Sequence, residues 1–522
     1  MGERQHLTAP DPKETRFPRG VPYIIGNELA ERFSFYGMKG ILTVFMTQHL
    51  MDASGAAANM SNEEAKGIYH LFTGSAYFFP ILGAILADAF WGKYKTILWI
   101  SLMYCFGHGC LALMDLGPVT GLWDMKPFLF LGLAFIAIGA GGIKPCVSAH
   151  VGDQFGSGNK HLLTQIFNWF YFSINVGAML STILTPILLA KVGPWAAFGL
   201  PGVLMAIATF LFWMGRNHFV HVPPAGWENF KQETFSPEGK RALKNLAPLF
   251  LIFVPVFWAI FDQTGSAWVL QAESMDREFL GYTWLESQVQ AVNPFFILLL
   301  IPVFTYLIYP ALNTIFPLTP LRKIGIGFVL TAGTFALSAM IELWIADRSS
   351  SAMTQLWSAL ALEAEMPSTL SEMVRMARTE GWTQEQLAPF LSEMPNISWQ
   401  FIAYIILTCA EIMVSIVCLE FAYTQSPKKM KSFIMGVYFL GVSLGNFYVS
   451  GVNFGMGLLK DPETGSTPLD GANYYWFFAS LMLIAFFIYL VWAKTYKGET
   501  YIQGEDLDTL EAKAEAEGTE AR

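Results

Sequence analysis

Charge is scarce in this 522-residue chain: only 14% of residues are Asp, Glu, Lys or Arg, where soluble globular proteins carry about 25%. With 53% hydrophobic and 15% aromatic residues, that deficit excludes an ordinary soluble fold and points to a membrane protein. Cysteine is equally sparse. Cys105, Cys110, Cys146, Cys409 and Cys418 all fall in apolar runs, without the spacing of a zinc or redox motif, and read as small packing residues. No nucleophile–base pair and no metal-ligand spacing is found, which argues against an enzyme. The first 19 residues are polar, contain Pro10, Pro12 and Pro18, and lack the apolar core of a cleavable signal peptide. The net charge of −9 reflects in part an acidic tail, Glu499, Glu505, Asp506, Asp508, Glu511, Glu515, Glu517 and Glu520. That tail is expected to be mobile, so net charge says little about partners.

What the chain has in quantity is apolar runs of about 20 residues, each long enough to cross a bilayer core of roughly 30 Å. About twelve are expected, near 20–50, 65–89, 95–115, 127–150, 164–190, 196–214, 247–271, 286–312, 321–346, 399–425, 432–458 and 473–493. A polar, basic linker over 215–246 divides them six and six, between bundles at 20–214 and 247–493, with tails at 1–19 and 494–522. This layout resembles the major facilitator superfamily, whose substrate site lies between the halves near the midplane. With both termini inside, nineteen Lys and Arg residues fall on the cytoplasmic side and eight on the other, which sets the expected orientation. Residues 347–398, on the external side, contain amphipathic stretches at 352–365, 369–379 and 383–393, with a capping-box pair at Thr383 and Gln386. They predict two or three short helices, serving lateral packing or docking.

The chemistry concentrates in the first span. At 100° per residue Glu28, Glu31, Arg32, Tyr36 and Lys39 share one helix face, with Glu28 and Arg32 in ion-pair spacing. Ionisable groups at membrane depth are expensive and normally face a polar path or a partner charge. A carboxylate beside a guanidinium stays ionised, and one from which the arginine withdraws takes up a proton. The alternative is a purely structural ion pair. In the fourth span Lys144 stands among Gly141, Gly142 and Pro145; its expected partner is an anionic substrate group or Glu28/Glu31, unless it snorkels to the cytoplasmic surface.

Asn168, Tyr171 and Asn175 form a stripe on the fifth span, and Trp258 and Asp262 lie four apart on the seventh. His70 and Asp262 fall at similar depth near the external end and could pair and release with pH. Glu411 lies near mid-depth of the tenth span and is expected in the cavity, whereas Glu420 is expected to engage neighbouring helices or the Lys428–Lys431 loop. The first half thus offers cations (Arg32, Lys39, Lys144) and the second a carboxylate (Glu411). Such a dipole matches a zwitterion, with Asn175 and Asn293 in the middle and Tyr36, Tyr77, Tyr171 and Trp258 as walls.

These motifs resemble the proton-coupled oligopeptide transporter family. Glu28 to Gly37 is similar to its E-x-x-E-R-F-x-Y-Y-G motif, Phe170 to Gly177 to F-Y-x-x-I-N-x-G, and Gly141 to Cys146 with Gly152 to Phe155 to its fourth-span motif. Gly83 to Lys95 is similar to the superfamily's motif between the second and third spans. The resemblance implies that Glu28, Glu31 and Arg32 couple to protons and that Lys144 salt-bridges with them. It implies that Arg32 and Lys39 meet the peptide carboxylate, that Asn175, Asn293 and Glu411 bind backbone and amino terminus, and that His70 and Asp262 serve the external gate.

Two departures stand out: Phe35 replaces the first tyrosine of the pair, and Lys39 stands where many members have arginine, giving up bidentate recognition. The expectation is an all-α membrane protein that carries di- and tripeptides with protons across a plasma membrane, such as a bacterial inner membrane. Lipid surrounds it, and no cofactor, metal or nucleic acid is involved. The rivals are the same fold carrying another anion or a drug, and a peptide sensor that does not transport.

Overall fold

The computed structural model describes residues 7–362, 366–425, 431–462 and 465–496. Among the described residues, eleven helices are long and apolar enough to cross a membrane, from Asn62–Trp91 to Ala472–Thr495. A twelfth, the first helix Val21–Gln48, spans 28 residues but carries Glu28, Glu31, Arg32 and Lys39. Local signals set the starts. Pro22 sits at the beginning of the first helix, the Ser61 hydroxyl accepts from the Glu64 amide at 3.1 Å, and the Thr319 hydroxyl accepts from the Arg322 amide. Proline in the first turn loses no helical bond, and a hydroxyl cap satisfies an orphan N–H.

Two apolar cores divide the molecule. One gathers residues between Val21 and Phe219, with Val269 as a visitor; the other runs from Ala242 to Tyr489. Within the first half the first helix packs on the fifth (Leu163–Lys191) and sixth (Pro194–Met214), and the third (Lys93–Leu113) on the fourth (Met125–Asp153). The second helix lies along the eleventh (Lys431–Leu458) and so joins the halves. Below, the end bearing residues 215–236 is the linker end and the opposite one the insertion end.

Two boundaries and one added element differ from expectation. The ninth helix runs Pro320–Leu360, 41 residues, so the first amphipathic stretch of the insertion continues the span rather than forming a helix of its own. The other two stretches form Leu370–Thr379 and Gln384–Leu391, and the second begins with the expected Thr383–Gln386 capping box. In the linker, Trp227–Thr234 and Pro237–Pro248 are helical, and the latter runs directly into the seventh span. A short hairpin, Glu278–Phe279 against Tyr282–Thr283, was not expected. The acidic tail from residue 497 and the loop at 426–430, with Lys428 and Lys429, lie outside the described residues.

Candidate functional site between the halves

The first and fifth helices meet closely enough that a Cβ on Gly177 would lie 2.7 Å from the Leu29 carbonyl oxygen and 3.2 Å from the Arg32 Cβ. That approach presses the charged face of the first helix inward. Arg32 Nε donates to Glu28 Oε1 at 2.7 Å and stands 3.3 Å from Glu31 Oε2. Both carboxylates are only 2% exposed, so the guanidinium offsets much of the cost of burying them. Tyr104 of the third helix lies within electrostatic reach of Glu31, a neighbour that sequence reasoning missed.

Lys144 reaches the same cluster from the fourth helix. Its Nζ lies 3.7 Å from the Phe35 ring centroid and 4.3 Å from that of Tyr77. It feels the charges of Arg32 and Glu31 and makes no hydrogen bond among the described residues. The expected salt bridge is therefore an aromatic cradle in this conformation. Phe35 serves as one wall of it, giving the departure from tyrosine a physical use. Placing a lysine there without snorkelling is possible because Gly141 and Gly142 let the fourth helix approach the Phe79 side chain and the Ile100 side chain closely.

In the second half Asn293 Nδ2 donates to Glu411 Oε2 at 2.7 Å and to Thr408 Oγ1 at 3.1 Å. A π-helical stretch, Ile412–Ile416, begins immediately after Glu411, and such wide turns frequently mark functional positions. Glu411 acts electrostatically on Tyr36 and Tyr171, both from the first half. Tyr36 also lies in the fields of Arg32 and Lys39. Asn175 Nδ2 bonds the Tyr171 carbonyl at 3.0 Å. The Tyr77 ring stands 6.4 Å from Trp258 and 6.0 Å from Phe439. Glu420 lies on the exposed surface of the tenth helix.

Lys39 and the gate pair take a different arrangement from the one expected. Lys39 Nζ bonds Asp262 Oδ1 at 2.7 Å across the halves, so in this conformation Lys39 offers no free ammonium to a carboxylate. His70 and Asp262 do not pair directly. Asn446 stands between them, donating to Asp262 Oδ2 at 2.8 Å while its Oδ1 meets His70 Nδ1 at 2.8 Å. The amide orientation makes His70 Nδ1 the donor, leaving Nε2 to face the Ser266 hydroxyl at 2.8 Å. Asn446 was legible as a polar amide in an apolar span, though nothing in its spacing points to His70.

The seventh helix breaks here: Asp262–Gly265 is a 3₁₀ turn and Ser266 leaves helical geometry. The break frees carbonyls, and Gly265 O accepts from Thr43 Oγ1 at 2.7 Å while Thr264 O accepts from Tyr404. A Cβ on Gly265 would lie 1.9 Å from the Tyr69 hydroxyl, so only glycine allows the approach. Gln290 Nε2 to Gly40 O and Gln288 Nε2 to Ile183 O add further bonds between the halves. Polar side-chain contacts thus join the halves from mid-depth to the insertion end.

This chain matches the POT family model (PTR2) over residues 94–236, 228–374 and 368–457. "Peptide transporter family 1" of Drosophila melanogaster is 38% identical over 366 residues, covering 63% of this chain and 48% of that protein. "Peptide transporter 3" of Caenorhabditis elegans is 40% identical over 372 residues, covering 63% and 51%. The chain thus spans about half the length of the curated relatives it matches. The crystal structure of the POT family transporter PepTSo superposes with a TM-score of 0.71 at 30% identity, covering 92% of this chain and 99% of that one. The chain belongs to the POT family of transporters.

Proposed function

We propose that this chain is a proton-driven symporter of di- and tripeptides that works by alternating access of a site between its halves. It is a transporter rather than an enzyme, and it resides in a plasma membrane, a bacterial inner membrane, with both termini cytoplasmic. The observation that carries the reading is the opposed charge at mid-depth. Arg32 and Lys144 come from the first half and Glu411 from the second, with Tyr36 in the fields of Arg32 and Glu411. The names of the relatives, peptide transporters, support the substrate class.

Coupling follows from the first helix. While Glu28 and Glu31 are ionised they hold Arg32; a proton on either loosens that grip and frees the guanidinium for a peptide carboxylate. The membrane potential supplies about 2.3 kcal/mol per charge per 100 mV, roughly a 50-fold accumulation for each charge moved. Labelled dialanine uptake into proteoliposomes under an inward-acid gradient tests this. Uptake is expected to follow the gradient and to be lost in Lys144→Ala. Uptake indifferent to the gradient refutes proton coupling, and binding without exchange points to a sensor.

A further inference from the structure

The insertion between the ninth and tenth spans has a core of its own. Leu370, Met373, Val374, Ala377, Leu387 and Leu391 are buried together against the extension of the ninth helix. Its polar side reaches the ends of the first and seventh helices. Arg375 donates through Nε and Nη2 to Glu273 Oε2 at 2.8 and 2.6 Å. Arg378 Nη1 donates to Glu286 Oε1 at 2.8 Å and to Gln48 Oε1 at 2.9 Å. Gln384 Oε1 accepts from Arg378 Nη2 at 3.2 Å and also from Arg277, which is wholly buried and pairs with Glu286. Gln48 Nε2 closes the ring on Glu273 Oε1 at 2.8 Å.

Gln48 belongs to the first half of the molecule, and every other member of this ring belongs to the second. We propose that the insertion is a latch seat: ion pairs fix it on the second half, and Arg378, Glu273 and Glu286 together hold Gln48 so that the insertion end stays closed. The chemistry suits a reversible catch. When the first helix withdraws, an uncharged amide leaves, Arg378 keeps Glu286 and Arg375 keeps Glu273, so no buried charge is stranded. Separation of Lys39 from Asp262 does the opposite, leaving a cation on one half and an anion on the other. Arg378 is thus a positioning residue, acting through Gln48 on the first helix rather than on substrate.

The charged and titratable groups facing the latch are Glu273, Glu286, Arg277, Arg375, Arg378 and His49. Burial alone would raise the Glu286 carboxyl, but the charges of Arg378 and Arg277 outweigh it and hold it well below its ordinary range. Burial draws Arg277 down to about 10, still charged at neutral pH. Burial also lowers the His49 imidazole, so this neighbour adds no charge to the catch in mild acid.

The inference rests on the alternating-access reading, but its test needs no substrate and therefore fails separately from peptide transport. In a cysteine-free background, nitroxide labels at Val119 and Leu458 report the opening of the insertion end by pulsed electron resonance; these residues are 82% and 88% exposed. A second pair, Glu380 with Leu458, reports whether the insertion stays on the second half. Hydrogen bonds from an amide to charged groups each shift an equilibrium by about tenfold or more. Gln48→Ala is therefore expected to raise the long-distance population of the first pair about tenfold and leave the second pair unchanged. Arg378→Gln is expected to shift the first pair likewise; should it not fold, Gln48→Ala decides alone. An unchanged first pair in folded Gln48→Ala overturns the proposal, as does movement of both pairs together.

Discussion

Lys39 and Asp262 are buried, come from different halves, and meet at 2.7 Å. Removing one partner strands the other charge in a site with little water, at a cost of about 3–5 kcal/mol. Asp262→Ala alone is expected to lower the midpoint of thermal unfolding in detergent clearly. The double variant Lys39→Met, Asp262→Leu is expected to recover most of the loss, because no lone charge remains. A double variant as unstable as the single would show that the pair is not the source. The first-helix charges were legible because carboxylates and an arginine four apart in an apolar run leave few alternatives, and the 2.7 Å Glu28–Arg32 bond has that geometry. The partner of Lys39 was not, since it lies 223 positions away and depends on which end of the molecule is closed. Lys144 shows the same limit: its depth was readable, whereas its seat over Phe35 and Tyr77 depends on how three helices converge.

At the scale of helices, close approach sets the geometry of the site. Gly177 faces the Leu29 carbonyl, which is backbone and cannot rotate aside. Gly177→Ala is therefore expected to force the first and fifth helices apart and to cost about 1–3 kcal/mol, with uptake falling as the Glu28–Arg32 face shifts. Gly451, on the eleventh helix, has open space where a Cβ would go, and Gly451→Ala is expected to be neutral or slightly stabilising. Comparison of the two midpoints separates packing from a general intolerance of substitution. The docked insertion yields a pH expectation. With the Glu286 carboxyl held well below its ordinary 4.5, its contribution is complete above that value and lost only as pH falls through the depressed one. Protease cleavage within the insertion is expected to be as slow at pH 5 as at pH 7; fast cleavage at pH 5 that persists in Glu273→Gln would show that the Glu286 carboxylate titrates earlier. Most helix ends fell within a few residues of their expected places because proline, serine and threonine caps are local. The ninth helix overran its span to Leu360, because its extension buries Ala352 and Leu356 against the insertion, support that no local signal announces.

For the whole molecule, polar contacts join the two halves from mid-depth to the insertion end, and Arg32 from one half and Glu411 from the other both act on Tyr36. Composition and the six-and-six division made this architecture readable, and residue types made the charge dipole readable. Conformational state was not, because Lys39–Asp262, His70–Asn446 and Gln48–Glu273 each join residues from different halves, and the sequence does not say which are together at one moment. The central claim is that Glu411 receives the ammonium of a zwitterion whose carboxylate meets the cations of the first half. Its most direct test is binding of dialanine and N-acetyl-dialanine to the wild type and to Glu411→Gln, measured side by side. The account predicts that acetylation weakens binding to the wild type about tenfold or more, and that Glu411→Gln binds both ligands with nearly equal, weak affinity. If Glu411→Gln weakens both ligands by the same factor, the carboxylate does not meet the ammonium and the account is contradicted.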